Sequence, residues 1–180
     1  MKRSALSVFL LSFLSTISSA ADTQWLLQQS TISYHISHPL HQVVGMSDAA
    51  RGKGICHAGN CEFLVAAPVK SFDSGDSNRD LHMLQATRGA QFPLISVRTS
   101  VSESALESTT IDADLQMQFA GQTAEYRKIP FQLTHQGKDV RLTGTIPATL
   151  SDFKIEPPSL LGIAVKNKMP IHIDMDWRPQ

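Results

Sequence analysis

Three places in the chain bring together residues whose types and spacing could do chemistry. Cys56, His57 and Cys61 crowd one short stretch, and these cysteines are the chain's only two. They bracket His57-Ala58-Gly59-Asn60, a loop with turn chemistry between two strand-like runs. Residues facing each other across a hairpin lie within disulfide range, so a Cys56–Cys61 bridge is the leading reading. Its rival is a metal or haem site built on Cys56, His57 and Cys61. C-H-x3-C has neither the C-x-x-C-H order of haem attachment nor the four ligands of structural zinc. The second place is His35, His38 and His41, spaced by three. Along a strand, residues i and i+3 point to opposite faces, and Pro39 interrupts the run, so these rings do not converge on one ion. The third is Ser74, Ser77, Arg79, Asp80 and His82, where a Ser–His nucleophile pair can be drawn. Turn and helix-cap duties already account for both serines. The chain has no G-x-S-x-G elbow, no H-E-x-x-H and no phosphate-cradling glycine loop. The pattern points away from an enzyme, with no catalytic residue, metal or cofactor expected.

The element that positions the third cluster is the stretch 71–93, SFDSGDSNRDLHMLQATRGAQFP. Asp73, Ser74, Gly75 and Asp76 are a run of turn formers that stops a strand. Asp76 or Ser77 then caps a short helix reaching Thr87, with Asp80 in its first turn, where a carboxylate suits the helix dipole. Leu81, Leu84 and Met83 are its expected buried side. Gly89 is its stop, and Phe92-Pro93 returns the chain to an extended path.

The rest reads as alternating stretches between turn signals, the pattern of antiparallel strands with one wet and one dry face. Ile32, Tyr34 and Ile36 form the first, ended by His38-Pro39. A weaker strand lies between residues 43 and 55, blurred by Gly45, Gly52 and Gly54. Phe63, Val65, Ala67 and Val69 follow the cysteine turn, and Ile95 and Val97 follow Pro93. The clearest alternation is Ile111, Ala113, Leu115, Met117 and Phe119 against Asp112, Asp114, Gln116 and Gln118. Ile129, Phe131 and Leu133 repeat it, then Val140, Leu142 and Ile146. Met169, Ile171, Ile173, Met175 and Trp177 make the last. About eight strands with no crossover helix leave a sandwich or a closed antiparallel barrel. An eight-stranded barrel either fills with side chains or holds one small apolar ligand.

Residues 1–20 read as a secretory signal peptide: Lys2 and Arg3, an apolar run over 5–17, then Ser18-Ser19-Ala20. The apolar run is too short to span a bilayer, and no later stretch does so. The expected organisation is therefore 1–20 signal and 21–180 one barrel domain, periplasmic or secreted, where a disulfide is the default for paired cysteines. The chain's 16 basic and 16 acidic residues balance. With neither a basic stripe nor a nucleic-acid motif, nucleic acid is an unexpected partner.

The stretch 71–93 resembles the signature of the YceI-like family of exported lipid-binding proteins. Ser71-Phe72-Asp73-Ser74-Gly75, Arg79-Asp80-Leu81-His82-Met83 and Phe92-Pro93 keep its order and spacing. Ile32 to His38 is similar to the family's first strand, and Gly144-Thr145-Ile146 with Asp152-Phe153 to a later run. The two cysteines are not part of that pattern. The resemblance implies an all-β, eight-stranded antiparallel lipocalin-like barrel with a short helix inserted around 77–87. It also implies a carrier that sequesters a polyisoprenoid, a quinone-like molecule or a fatty amide or acid. The dry strand faces would then line the cavity through Tyr34, Phe63, Phe72, Leu84, Phe92, Val97, Leu115, Met117, Phe119, Phe131, Phe153, Ile171, Ile173 and Met175. Arg79, Asp80 and His82 would form a hydrogen-bonded cap over one barrel end, with direct ligand contact as the alternative. The alternative is an exported stress or interaction protein with a filled, ligand-free barrel. A homodimer is compatible with either.

Overall fold

The computed structural model describes residues 22–39, 41–160 and 162–180. The signal-peptide reading over 1–20 and the side chain of His41 lie outside the described residues.

Eight antiparallel strands close into a barrel: β1 (Thr23–His38), β3 (Arg51–His57), β4 (Asn60–Pro68), β5 (Leu94–Ser102), β6 (Thr110–Phe119), β7 (Gln122–Gln136), β8 (Asp139–Ile146) and β11 (Ile171–Pro179). Each pairs with its neighbour, and β11 returns to pair with β1 from Trp25↔Pro179 to Tyr34↔Ile171. β2 (His41–Ser47) lies outside this ring, folded back on the upper half of β1 from Ile32↔Ser47 to His38↔His41. A hairpin of β9 (Ser159–Leu160) and β10 (Ile163–Ala164) sits in the β8–β11 connection. The inserted helix α1 spans Ser77–Ala86 and interrupts β4 and β5.

Two findings revise the expected strands. The single weak strand between 43 and 55 is two pieces, because β2 and β3 both pair with β1 but at opposite ends of it. The chain bends between them at Asp48-Ala49-Ala50, where the Ala49 N–H donates to Ser47 Oγ at 3.2 Å. The first strand is sixteen residues long instead of starting at Ile32. Its register with β11 shifts between Leu27 and Gln29, and that bulge breaks the alternation that would have announced Trp25. The same happens in β7, where a shift opposite Ala113/Leu115 puts Lys128 at φ 53°. Asp114 Oδ1 accepts the Lys128 N–H at 2.8 Å and caps that bulge.

The β3–β4, β5–β6 and β7–β8 connections lie at one end of the barrel. The β4–β5, β6–β7 and β8–β11 connections lie at the other, because successive antiparallel strands reverse direction. At the first end the Cys56–Cys61 disulfide is formed, both residues buried, with Val101, Leu106 and Ile111 in the same core cluster. Outside it, His57 Nδ1 is 2.7 Å from Asp22 Oδ1, and this carboxylate raises the imidazole pKa. The joined sulfurs cannot serve as thiolate ligands. Among the described residues, Cys56, Cys61 and Glu103 are the only trio of potential metal ligands within reach of one another.

At the second end a polar clamp fixes the long β8–β11 connection. Tyr126 Oη donates to Asp152 Oδ2 at 2.8 Å, and the Thr149 N–H donates to the same oxygen at 2.8 Å. Phe153, beside it, is fully buried with its ring edge-on to Phe119 at 5.2 Å. Burial works to raise the Asp152 carboxyl, but the hydrogen bonds from Thr149 and Tyr126 outweigh it and hold the group below the ordinary aspartate value. Burial, then the Asp152 bond, pushes the Tyr126 phenol well up.

Tyr126→Phe should lower unfolding stability by about 1–2 kcal/mol, since a part-buried carboxylate loses a donor. The Asp152 pKa is lower folded than unfolded, so its stabilisation is present above about pH 3.9 and is lost as pH falls through the folded value. In the variant that loss moves to higher pH. An unchanged midpoint in a fluorescence-monitored acid titration would remove the clamp from this account. Replacing Cys56 and Cys61 together by alanine should keep the far-UV strand signal. It should lower Tm by roughly 4–8 °C, from about 2 kcal/mol for so short a loop.

Candidate ligand-binding cavity

The barrel is not filled. A cavity of about 550 Å³ runs along its interior, within the range of small-molecule sites. Its wall takes side chains from seven of the eight barrel strands, all but β3, from Val101, Leu106 and Ile111 at the disulfide end to Met83 and Ala86 of α1 at the other. The wall is apolar along the strands. Its acidic and basic members, Asp76, Arg79, His82 and His38, belong to the helix, its cap and the end of β1, and Tyr34 adds a phenol from β1. The wall residues that are exposed to solvent are Asp76, Asn78, His82, Ala86, Pro158 and Ser159, all in connections of the second end. That end is the mouth.

The helix over the mouth is strapped at both ends. Asp76 caps it, its Oδ1 accepting the Asn78 N–H at 2.9 Å and the Arg79 N–H at 3.1 Å, and the Arg79 bond leads in lowering its pKa. Ser74 then joins two of the three expected cap residues, Arg79 and Asp80. Its hydroxyl donates to Asp80 Oδ1 at 2.5 Å and accepts from Arg79 Nε at 2.8 Å, while Arg79 Nη2 donates to the Ser74 carbonyl at 2.5 Å. The preceding turn is tied to β2 by reciprocal backbone bonds between Met46 and Asp73, at 2.8 and 2.9 Å. Beyond the helix, Arg88 Nη2 donates to the Ala120 carbonyl. The same guanidinium lies 5.0 Å from the Phe92 ring centroid. Phe92 covers Gly121, where a Cβ would come within 2.5 Å of the ring and φ is +74°.

The cluster is therefore Arg79, Ser74 and Asp80. His82 stands exposed in the cavity rim without a hydrogen bond to either Arg79 or Asp80. The Ser74 hydroxyl donates its hydrogen bond to Asp80, and none joins it to His82. α1 also buries none of its residues fully, and Leu81, an expected core position, is 52% exposed. Its contact with the core is made by Met83 and Leu84, both only half-buried.

Eleven of the fourteen expected lining residues do face the cavity: Tyr34, Phe63, Phe72, Val97, Leu115, Met117, Phe119, Phe131, Ile171, Ile173 and Met175. Tyr34 crosses the backbone at Gly45, where a Cβ would lie 2.3 Å from its ring, and its ring is 5.7 Å from Phe72. Burial, reinforced by Asp80 and opposed by Arg79, raises the phenol pKa, so its hydroxyl remains a donor at neutral pH. Leu84, Phe92 and Phe153 are not in the wall. Leu84 packs on Gly89 and Phe92 on Gly121, outside the barrel bore, while Phe153 is fully buried behind Phe119. All three lie on connections, where strand alternation says nothing about direction.

The wall also holds Ile32, Val65, Leu133, Leu142 and Trp177, dry-face residues left out of the expected lining, and Trp25, which sequence reasoning missed. Alternation announces all of these except Trp25, which the β1 bulge hides. Of the three spaced histidines, His38 faces the cavity, its Nε2 3.2 Å from the Ile163 carbonyl. His35 is absent from the wall, its ring edge-on to His172 with centroids 4.5 Å apart. These two rings diverge.

No curated protein matches the chain. A polyisoprenoid binding domain from Saccharophagus degradans is similar in structure, with TM-score 0.71 and 11% identity over 87% of this chain and 98% of that one. BcnA from Burkholderia cenocepacia is similar with TM-score 0.67 and 12% identity, over 82% of this chain and 95% of its own. At such identities the likeness is one of fold. The YceI-like domain profile matches residues 25–177, from the first wall tryptophan on β1 to the last on β11. That span takes in every strand of the barrel, and the chain belongs to the YceI-like domain family.

Proposed function

We propose that this chain is an exported, non-enzymatic carrier that holds a long-chain apolar ligand inside its barrel. The ligand class is polyisoprenoid, quinone-like, or fatty amide or acid. The observation that carries the reading is the continuous apolar bore of about 550 Å³ beneath a polar rim. Each methylene moved from water into such a wall is worth about 0.8 kcal/mol, so chain length dominates the gain. Immobilising both partners removes much of it, which keeps binding reversible. An ionised group below the rim would be desolvated without a counter-charge, so a polar head stays among Arg79, Asn78 and His82 while the tail fills the bore. The structural likeness to a polyisoprenoid binding domain supports the class of ligand. The leader-like residues 1–20 and the disulfide support a periplasmic or secreted location. A solid scaffold barrel, the rival reading, has no use for a bore of this size.

Native mass spectrometry of protein purified from its own host should find a bound long-chain molecule. Protein that extracts clean and takes up no long-chain isoprenoid on incubation would end the carrier reading. Ala113 lines the wall toward the disulfide end. Ala113→Phe should shorten the bore, lower uptake of long chains by tenfold or more (about 1.4 kcal/mol) and leave Tm near the wild-type value. A filled interior would respond oppositely, losing about 1–3 kcal/mol to overpacking with no change in uptake.

A further inference from the structure

The mouth is also where the molecule shows its apolar surface. Seven large hydrophobic side chains among the described residues are exposed. Five of them, Val44, Met46, Leu81, Leu94 and Ile163, belong to elements of the mouth end and are 37% to 54% exposed. Ordinary surfaces scatter such residues singly.

The elements that carry four of them form one connected arc. Leu81 is on α1, whose leading turn is bonded to β2 through Met46 and Asp73. β2 presents Val44 and Met46 on the face opposite to Val43, which lines the bore. The β9–β10 hairpin that carries Ile163 is tied to the end of β1. The Lys166 N–H donates to the Ser37 carbonyl at 2.8 Å, and His38 Nε2 is 3.2 Å from the Ile163 carbonyl. Pro158, Ser159 and Val165 of the same connection line the cavity, so the arc continues into the bore. The charges along these connections are mixed, Lys70, Arg79, Arg88, Lys154, Lys166 and Lys168 against Asp73, Asp76, Asp80, Asp152 and Glu156.

We propose that this apolar arc docks the mouth onto the surface of a lipid bilayer, so that an apolar chain passes between membrane and bore without crossing water. The inference rests on the carrier reading for its purpose, but its contact surface is independent of what the bore holds. A bilayer is the occupant that suits an apolar rim of mixed charge around the opening of an apolar bore. The same charge balance means that the contact is hydrophobic, not electrostatic, and needs no anionic lipid.

The test uses residues 22–180, which contain the whole closed barrel and exclude the apolar leader. Flotation with phosphatidylcholine vesicles is compared between wild type and the Leu81→Asp/Ile163→Asp pair, both positions being exposed. Uptake of a fluorescent long-chain isoprenoid from detergent is measured in parallel. Wild type should float, with partitioning unchanged between low and high salt and not raised by phosphatidylserine. The pair should lose about tenfold or more of it while keeping its uptake and Tm. Equal flotation of both proteins, binding that appears only with phosphatidylserine, or no flotation at all would overturn the docking surface. Flotation that the pair abolishes, in a protein that takes up no isoprenoid, would overturn the carrier reading and leave the docking surface standing.

Discussion

The pairing of β11 with β1 is the constraint on which the rest depends. Without it the sheet would end in two long unpaired edges, and its apolar face would need a second layer to cover it. With it, the inward residues of eight strands face only one another. β1 makes closure possible by its length. One edge takes β11 over almost ten residues, and the other is shared between β3 low down and β2 near the mouth. Its bulge at Leu27/Gln29 absorbs the twist that closure imposes, and turns Trp25 and Trp177 into neighbours of Phe63 at the disulfide end.

Closure then sets what the interior can be. Eight strands are near the size at which side chains alone can fill the middle, so whether space remains is decided by their volumes. Here Ala67, Val97 and Ala113 stand among Phe131, Met117 and Ile173 around the wall, and a bore persists. The two ends differ in kind. The disulfide end is shut by buried side chains from short turns, whereas the mouth has the long connections, which bring polar groups and a helix. That helix is strapped at its termini through Asp76, Ser74 and Arg88, while Met83 and Leu84 pack it, half-buried, against the core. A roof fixed at its edges, with none of its residues fully buried, is suited to local opening, since few buried contacts oppose it.

Strands whose alternation was unbroken could be read directly: β6, the lower part of β7, β8 and β11 stood out, and with them Leu115, Met117, Phe131, Ile173 and Met175 as wall residues. The β1 and β7 bulges erased the pattern elsewhere, since one extra residue flips every later side chain to the other face. Glycines blurred β2 and β3 for a different reason. Gly45 and Gly54 leave room for Tyr34 and Phe63, so the strand lacks its own apolar mark where a neighbour's ring fills the place.

By itself the sequence determined the class of fold, the hairpin that joins Cys56 to Cys61, and the turn, cap and helix order of 71–93. Each is a local property, set by alternation, turn chemistry and short-range spacing. Only the tertiary structure decided that the barrel encloses space, that Leu84, Phe92 and Phe153 stand outside it, and that Ser74 links Arg79 to Asp80 while His82 faces the rim. These depend on which residues of distant strands meet across the bore and on how much volume they leave. A sequence fixes the direction of each side chain along its own strand, but not the distance to the wall opposite.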